Sequence, residues 1–243
     1  MSRPRFHCPF PLAANQRIEL PDALAHHAVR VLRLRDGSPI TLFDGAGGHY
    51  PGTLEIEGRR AWAQLGEHED VDLELPVQTV LVQGIAGGDK MDWIVEKAVE
   101  MGVSQVVPIT AQRSVIQLSG DRREKRLRHW QRIAVAAGEQ CGRNRIMNVA
   151  PPQSLMNWLE TADPALLRLA CHPEAGANLA DAVQDHQGPL ALMIGPEGGW
   201  SDEELTLMQQ HELTLVHFGR RILRTETAGI ALMAALAAIK RWD

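Results

Sequence analysis

Cysteine is scarce in this chain. Cys8, Cys141 and Cys171 stand alone among 243 residues with no C-x-x-C spacing, so neither a disulfide framework nor a cysteine zinc site is indicated, and no metal is expected. Long apolar runs are also lacking. The longest weakly polar stretch, Ala228 to Ile239, is too short and too rich in alanine to cross a bilayer, and Met1-Ser2-Arg3-Pro4-Arg5 leads into no apolar export segment. A cytoplasmic location is the expectation. The phosphate-cradling patterns G-x-G-x-x-G and G-K-[ST] do not occur, which weakens any nucleotide-phosphate enzyme. Gly45-Ala46-Gly47-Gly48 comes near, but Tyr50 takes the place of the last glycine and a strand pattern follows, so this reads as a hairpin loop.

An overall basic balance is missing as well: 25 basic and 30 acidic residues give a net charge of −5, which at first sight speaks against nucleic acid. The distribution matters more than the sum. Between Arg113 and Arg145 nine Arg or Lys face three acidic residues, a local excess of six. Such a segment binds phosphates by counterion release or is simply a solvated helix face. With 44% hydrophobic and 23% charged residues, disordered and collagen-like classes are excluded.

Two patterns divide the chain. Up to about residue 72, strand-like runs at Ile18–Leu20, Ile40–Phe43, Thr53–Ile56 and Ala61–Leu65 are punctuated by Gly, Pro and Asp-Gly signals, with Ala23–Val31 as the one helix candidate. Read as a strand from Val31, Arg33 and Arg35 share one face, either a basic strip or ordinary solvated charge. His26-His27 reads as packing or capping. The acidic run Glu67–Glu74, closed by Pro76, marks a linker, and from residue 77 buried strands alternate with helices. Asp89 and Gly102 bracket one helix, Arg122–Gln140 forms a long one, and Glu226–Trp242 is an apolar final helix that is either buried or part of a subunit interface.

The informative stretches are two loops. Leu190–Ile194 runs into Gly195-Pro196-Glu197-Gly198-Gly199-Trp200, and Leu213–Phe218 runs into Gly219-Arg220-Arg221-Ile222-Leu223-Arg224-Thr225-Glu226-Thr227. Each follows a buried strand and precedes a helix, the second feature of the first loop being a capping box, Ser201 with Glu204. In open parallel sheets such loops lie at the ligand-binding edge. The glycines expose backbone, and the carboxylate of Glu197 argues against a phosphate and for a neutral or cationic ligand.

These two stretches, with Glu96–Val103 and Arg113-Ser114, closely resemble the signature motifs of the SPOUT class of RNA methyltransferases, and specifically of the ribosomal RNA small subunit methyltransferase E family; Met101 departs from the usual leucine. The resemblance implies a PUA-like β-barrel RNA-binding domain over 1–72 and an α/β SPOUT methyltransferase domain over 73–243, with a parallel sheet and a trefoil knot. It implies S-adenosylmethionine (SAM) as cofactor, N3 of a uridine in 16S ribosomal RNA of the small subunit as acceptor, and a homodimer. On the matching positions the cofactor is expected at Cys171, His172, Ile194, Gly195, Pro196, Glu197, Gly198, Gly199, Phe218, Gly219, Ile222, Leu223 and Thr227. Arg224 and Glu197 are the catalytic candidates. RNA is expected at Arg3, Arg5, Arg33, Arg35, Arg113 and Arg143. Glu139–Arg143 matches a segment near the family's active site or is a plain helix C-terminus. Three other readings remain open: a ribose 2′-hydroxyl as acceptor, an assembly factor without cofactor, and a nucleotide-phosphate enzyme.

Overall fold

The computed structural model describes residues 3–116 and 118–242. The chain divides into two units, one comprising the residues up to Glu74 together with Gly138–Ile146, the other Leu75–Ala137 and the residues from Met147 on.

The first unit is β-rich. Strands Arg5–His7 (β1), Arg17–Glu19 (β2), Pro39–Phe43 (β3), Tyr50–Glu57 (β4) and Arg60–Leu65 (β5) form one sheet in the order β1-β3-β4-β5-β2. β1 runs parallel to β3 and the other pairs are antiparallel. The Gly45–Gly48 segment is the β3–β4 hairpin loop, as its composition indicates. Phe6, Ile40, Leu42, Leu54 and Ala63 fill the core. β1 escapes a periodicity reading because only three residues separate Pro4 from Cys8-Pro9.

The strand expected from Val31 does not form. Helix Asp22–His26 (α1) continues as a π-helical turn, His27–Val31, and Arg33 then takes a left-handed conformation with φ 55°. The chain folds back so that the Leu34 N–H reaches the Ala28 carbonyl at 3.0 Å. Arg33 and Arg35 therefore share no strand face; both are exposed, beside exposed Val31 and Leu32.

Gly138–Ile146 belongs to this unit because polar groups tether it. Glu139 accepts the His7 N–H at 2.8 Å, and Arg5 donates to the Gly142 carbonyl at 3.1 Å and to Asn144. Arg143, 4% exposed, pairs with Glu74. Burial pushes the Glu139 carboxyl up, against the opposing effect of the His7 N–H.

The second unit is parallel α/β. Its strands are Thr79–Gly84 (β6), Gln105–Ile109 (β7), Asn148–Val149 (β8), Leu167–Cys171 (β9), Ala177–Asn178 (β10), Leu190–Ile194 (β11) and Thr214–His217 (β12), arranged β10-β12-β9-β11-β6-β7-β8 with every pair parallel. β6 and β11 lie at the centre and are buried at every residue, which is why they read as unbroken apolar runs. Helices Lys90–Glu100 (α2), Gly120–Cys141 (α3), Leu155–Thr161 (α4), Leu179–Val183 (α5), Asp202–Gln210 (α6) and Thr225–Lys240 (α7) complete the unit, the last turn of α3 passing into the first unit. The capping box opening α6 is present: Ser201 Oγ accepts the Glu204 N–H and Glu204 returns the bond to the Ser201 N–H. Among the described residues no helix is long and apolar enough to cross a membrane.

Candidate functional site

Strand order places the site. β12, β9 and β11 are consecutive neighbours, so the loops leaving their carboxyl ends meet at one edge, where the sheet leaves a crevice. A cavity of about 560 Å³ lies there, within the range of small-molecule sites. Cys171, His172, Ile194, Gly195, Pro196, Glu197, Gly198, Gly199, Phe218, Gly219, Ile222 and Leu223 all line it, as do Arg224 and Arg113. Thr227 does not; it is exposed on the first turn of α7.

The loop after β11 is held from several sides. The Gly199 N–H closes a turn onto the Pro196 carbonyl at 2.9 Å, with Gly199 at φ 68°. A side chain on Gly198 would stand 2.8 Å from the Arg113 Cβ, and one on Gly84 2.5 Å from the Pro196 nitrogen. Arg113 donates to the Trp200 carbonyl at 3.0 Å and more weakly to Gly198. Glu197 Oε1 accepts from the Gly87 N–H and from Lys90 Nζ, both at 2.9 Å. Its partial burial favours the neutral acid, but the bonds from Lys90 and Gly87 outweigh that and hold the carboxyl below its ordinary range. A carboxylate so engaged is a poor proton acceptor. Its charge is answered by Lys90, 107 residues away in sequence, which no local pattern reveals.

The loop after β12 is different. Ile222 is 83% exposed, and Arg220, Arg221 and Arg224 are exposed with no ion pair among the described residues. Arg224 is the N-cap of α7 and its carbonyl accepts the N–H groups of Thr227 and Ala228. The helix start is fixed by a buried chain: Thr225 Oγ1 donates to the Gly195 carbonyl at 2.6 Å and accepts from Gln83 Nε2 at 2.9 Å.

Polar atoms without partners collect around the cavity. Trp200 Nε1 and Glu226 Oε2, on two lining residues, are shut off from water with no hydrogen bond among the described residues, as is Gln83 Oε1 behind Thr225. Buried groups of this kind are uncommon in folded proteins. The expected RNA residues separate into two sets. Arg5, Arg113 and Arg143 donate hydrogen bonds to protein carbonyls or a carboxylate, whereas Arg3, Arg33 and Arg35 are exposed with no such bond from their guanidinium groups among the described residues.

Known proteins share this architecture. A family profile described as an RNA methyltransferase domain matches residues 73–237, and one described as an RNA methyltransferase PUA domain matches residues 20–64. Fold and site thus define an RNA methyltransferase with a β-rich PUA domain ahead of a parallel α/β domain. The ribosomal RNA small subunit methyltransferase E of Neisseria gonorrhoeae, solved bound to S-adenosyl methionine, is 35% identical, covers 98% of each chain and superposes with a TM-score of 0.91. Sequences of the same name from Synechocystis and Bacillus subtilis are 32% identical over 228 residues and 29% identical over 220, covering 91% and 87% of this chain and 73% and 86% of theirs. The chain belongs to the ribosomal RNA small subunit methyltransferase E family.

Proposed function

We propose that this protein transfers a methyl group from SAM to N3 of a uridine in 16S ribosomal RNA. The observation that carries the reading is the convergence of the three expected loops on one cavity of small-molecule size at the carboxyl edge of the sheet. The residues present fit the cofactor. Backbone freed by Gly195, Gly198, Gly199 and Gly219 offers N–H and C=O groups to an adenine edge, and Ile222 and Leu223 supply an apolar wall. SAM bound there supplies an electrophilic methyl group on a cationic sulfur.

Loss of the N3 proton leaves negative charge on the uracil carbonyl oxygens, and Arg224, unpaired and on the cavity wall, is placed to stabilise it. Arg220 and Arg221 extend a positive rim suited to RNA phosphates, and Arg3, Arg33 and Arg35 offer a second set in the β-rich unit. Exposed Arg122, Arg123, Lys125, Arg128 and Arg132 of α3 are a third.

The trefoil knot and the homodimer are part of the same reading. Thr225 is clasped between Gln83 and Gly195, which brings the chain after β12 against the ends of β6 and β11 as a knotted crossing requires. α7 buries Ala228, Leu232, Met233 and Leu236 within the unit but leaves Ile230, Ala231, Ala234, Ala238 and Ile239 partly or fully uncovered, a helical stripe that a second copy would cover. The test is nucleoside analysis of small-subunit RNA from cells lacking the protein. N3-methyluridine should be missing at one position and return on complementation; an unchanged modification pattern refutes the reading.

A further inference from the structure

Methylation of a uracil imide needs a group that takes the N3 proton, and the cavity holds few candidates. Glu197 is bound to Lys90 and Gly87. His172 accepts the Glu174 N–H on Nδ1, so the neutral ring carries its own hydrogen on the other nitrogen and has no lone pair left to receive one. Cys171 is a thiol pushed up by burial. His217 and Glu226 remain.

Glu226 is distinguished by three features. It lines the cavity, two residues beyond Arg224. Its Oε2 is cut off from water and receives no hydrogen bond among the described residues, a state that costs free energy until some donor arrives. The helix start that carries it is anchored by the Gln83–Thr225–Gly195 chain one residue earlier, which keeps Glu226 at the cavity. A uracil imide N–H is such a donor, and its flanking carbonyls would then turn toward guanidinium groups on the same rim.

We propose that Glu226 is the proton acceptor of the reaction, a role that rests on the N3 reading above. The N3–H bond breaks and the proton passes to the Glu226 carboxylate. The electron pair left on N3, shared with the two carbonyl oxygens, forms the bond to the methyl carbon as the carbon–sulfur bond breaks and sulfur keeps its pair, becoming a neutral thioether. Release of the proton from Glu226 to water completes the balance. Charged groups lining the same cavity are Lys90 and Glu197 as a pair, Arg113 bound to carbonyls, and Arg220, Arg221 and Arg224.

The test is single-turnover methylation of small-subunit particles by Glu226→Gln, together with calorimetric SAM titration and thermal melting. Expected are a loss of about a hundredfold or more, SAM affinity within about threefold of the parent, and a residual rate that climbs about tenfold per pH unit as the imide ionises unaided, while the parent stays flat. Glu226→Asp keeps a carboxylate and should give an intermediate rate with the parent's pH dependence; it carries the test if the glutamine variant fails to fold. A rate near that of the parent overturns the proposal. So does a fall in SAM affinity matching the fall in rate, which makes Glu226 a cofactor ligand, or transfer of the pH signature to His217→Asn. A parent product other than N3-methyluridine instead removes the reading beneath it.

Discussion

The two loops that face each other across the cavity are built on opposite principles. The loop after β11 is tethered at almost every residue: a turn bond at Gly199, an ion pair and an N–H bond at Glu197, and Arg113 across Gly198 and Trp200. The loop after β12 has only its last residue fixed, through Thr225, and leaves Ile222 and three arginines in solvent. A rigid wall presents backbone to a small ligand without an ordering cost at binding. An open wall with unpaired cations is suited to a larger anionic partner that arrives second. Cofactor affinity should therefore reside mainly in the first loop, and RNA engagement and chemistry in the second.

The strongest way to break the contrast is Gly199→Val. A β-branched residue at φ 68° is strained, so the turn must open. SAM affinity should fall by a hundredfold or more in calorimetry, with a roughly 1–3 kcal/mol loss of stability; retained affinity would show that the loop does not bind cofactor. Next in size is Arg224→Ala, expected to slow single-turnover methylation by about a hundredfold with SAM affinity nearly unchanged. Equal losses of rate, affinity and thermal stability would make that arginine a structural clamp.

A smaller effect is expected at Lys90→Met, which removes the charged partner of Glu197 and should weaken SAM by a few-fold. The same pair fixes a pH dependence. Because the carboxyl sits below its ordinary value of 4.5 in the folded protein, the tether contributes at neutral pH and is lost only as pH falls below about that value through the depressed folded pKa. The midpoint of SAM affinity against pH should move upward in Lys90→Met. Smallest are single neutralisations of Arg33, Arg35 or Arg220, each lowering the salt slope of RNA binding by about one unit. A slope unchanged in all three would mark them as solvated surface.

The same contrast explains what was legible in the sequence. β6 and β11 were readable because central parallel strands are apolar on both faces, and the α6 capping box because its residues are three apart. The loops were legible as cavity-lining because glycine clusters after buried strands expose backbone at the sheet edge. What stayed hidden depends on distant partners: Lys90 beside Glu197, Gln83 beside Thr225 across 142 residues, and the return of 138–146 to the β-rich unit through Arg5 and His7. The Arg33–Arg35 strand failed for a local reason, since alternating Leu and Arg has strand period but the π-helical turn before it directs Leu34 back to Ala28. Two-residue edge strands such as β8 and β10 are too short to leave any periodicity.

The dimer can be examined independently by placing a charge at Ala235, which should give monomers of low activity in sedimentation and methylation assays. A parent protein that sediments as a monomer at micromolar concentration would contradict it. The most direct measurement of all is to incubate the purified protein with methyl-labelled SAM and small ribosomal particles from cells that lack it, digest the RNA and locate the label by mass analysis. The account predicts one labelled N3-methyluridine per particle; label on a ribose 2′-hydroxyl, or no SAM-dependent label, would contradict it.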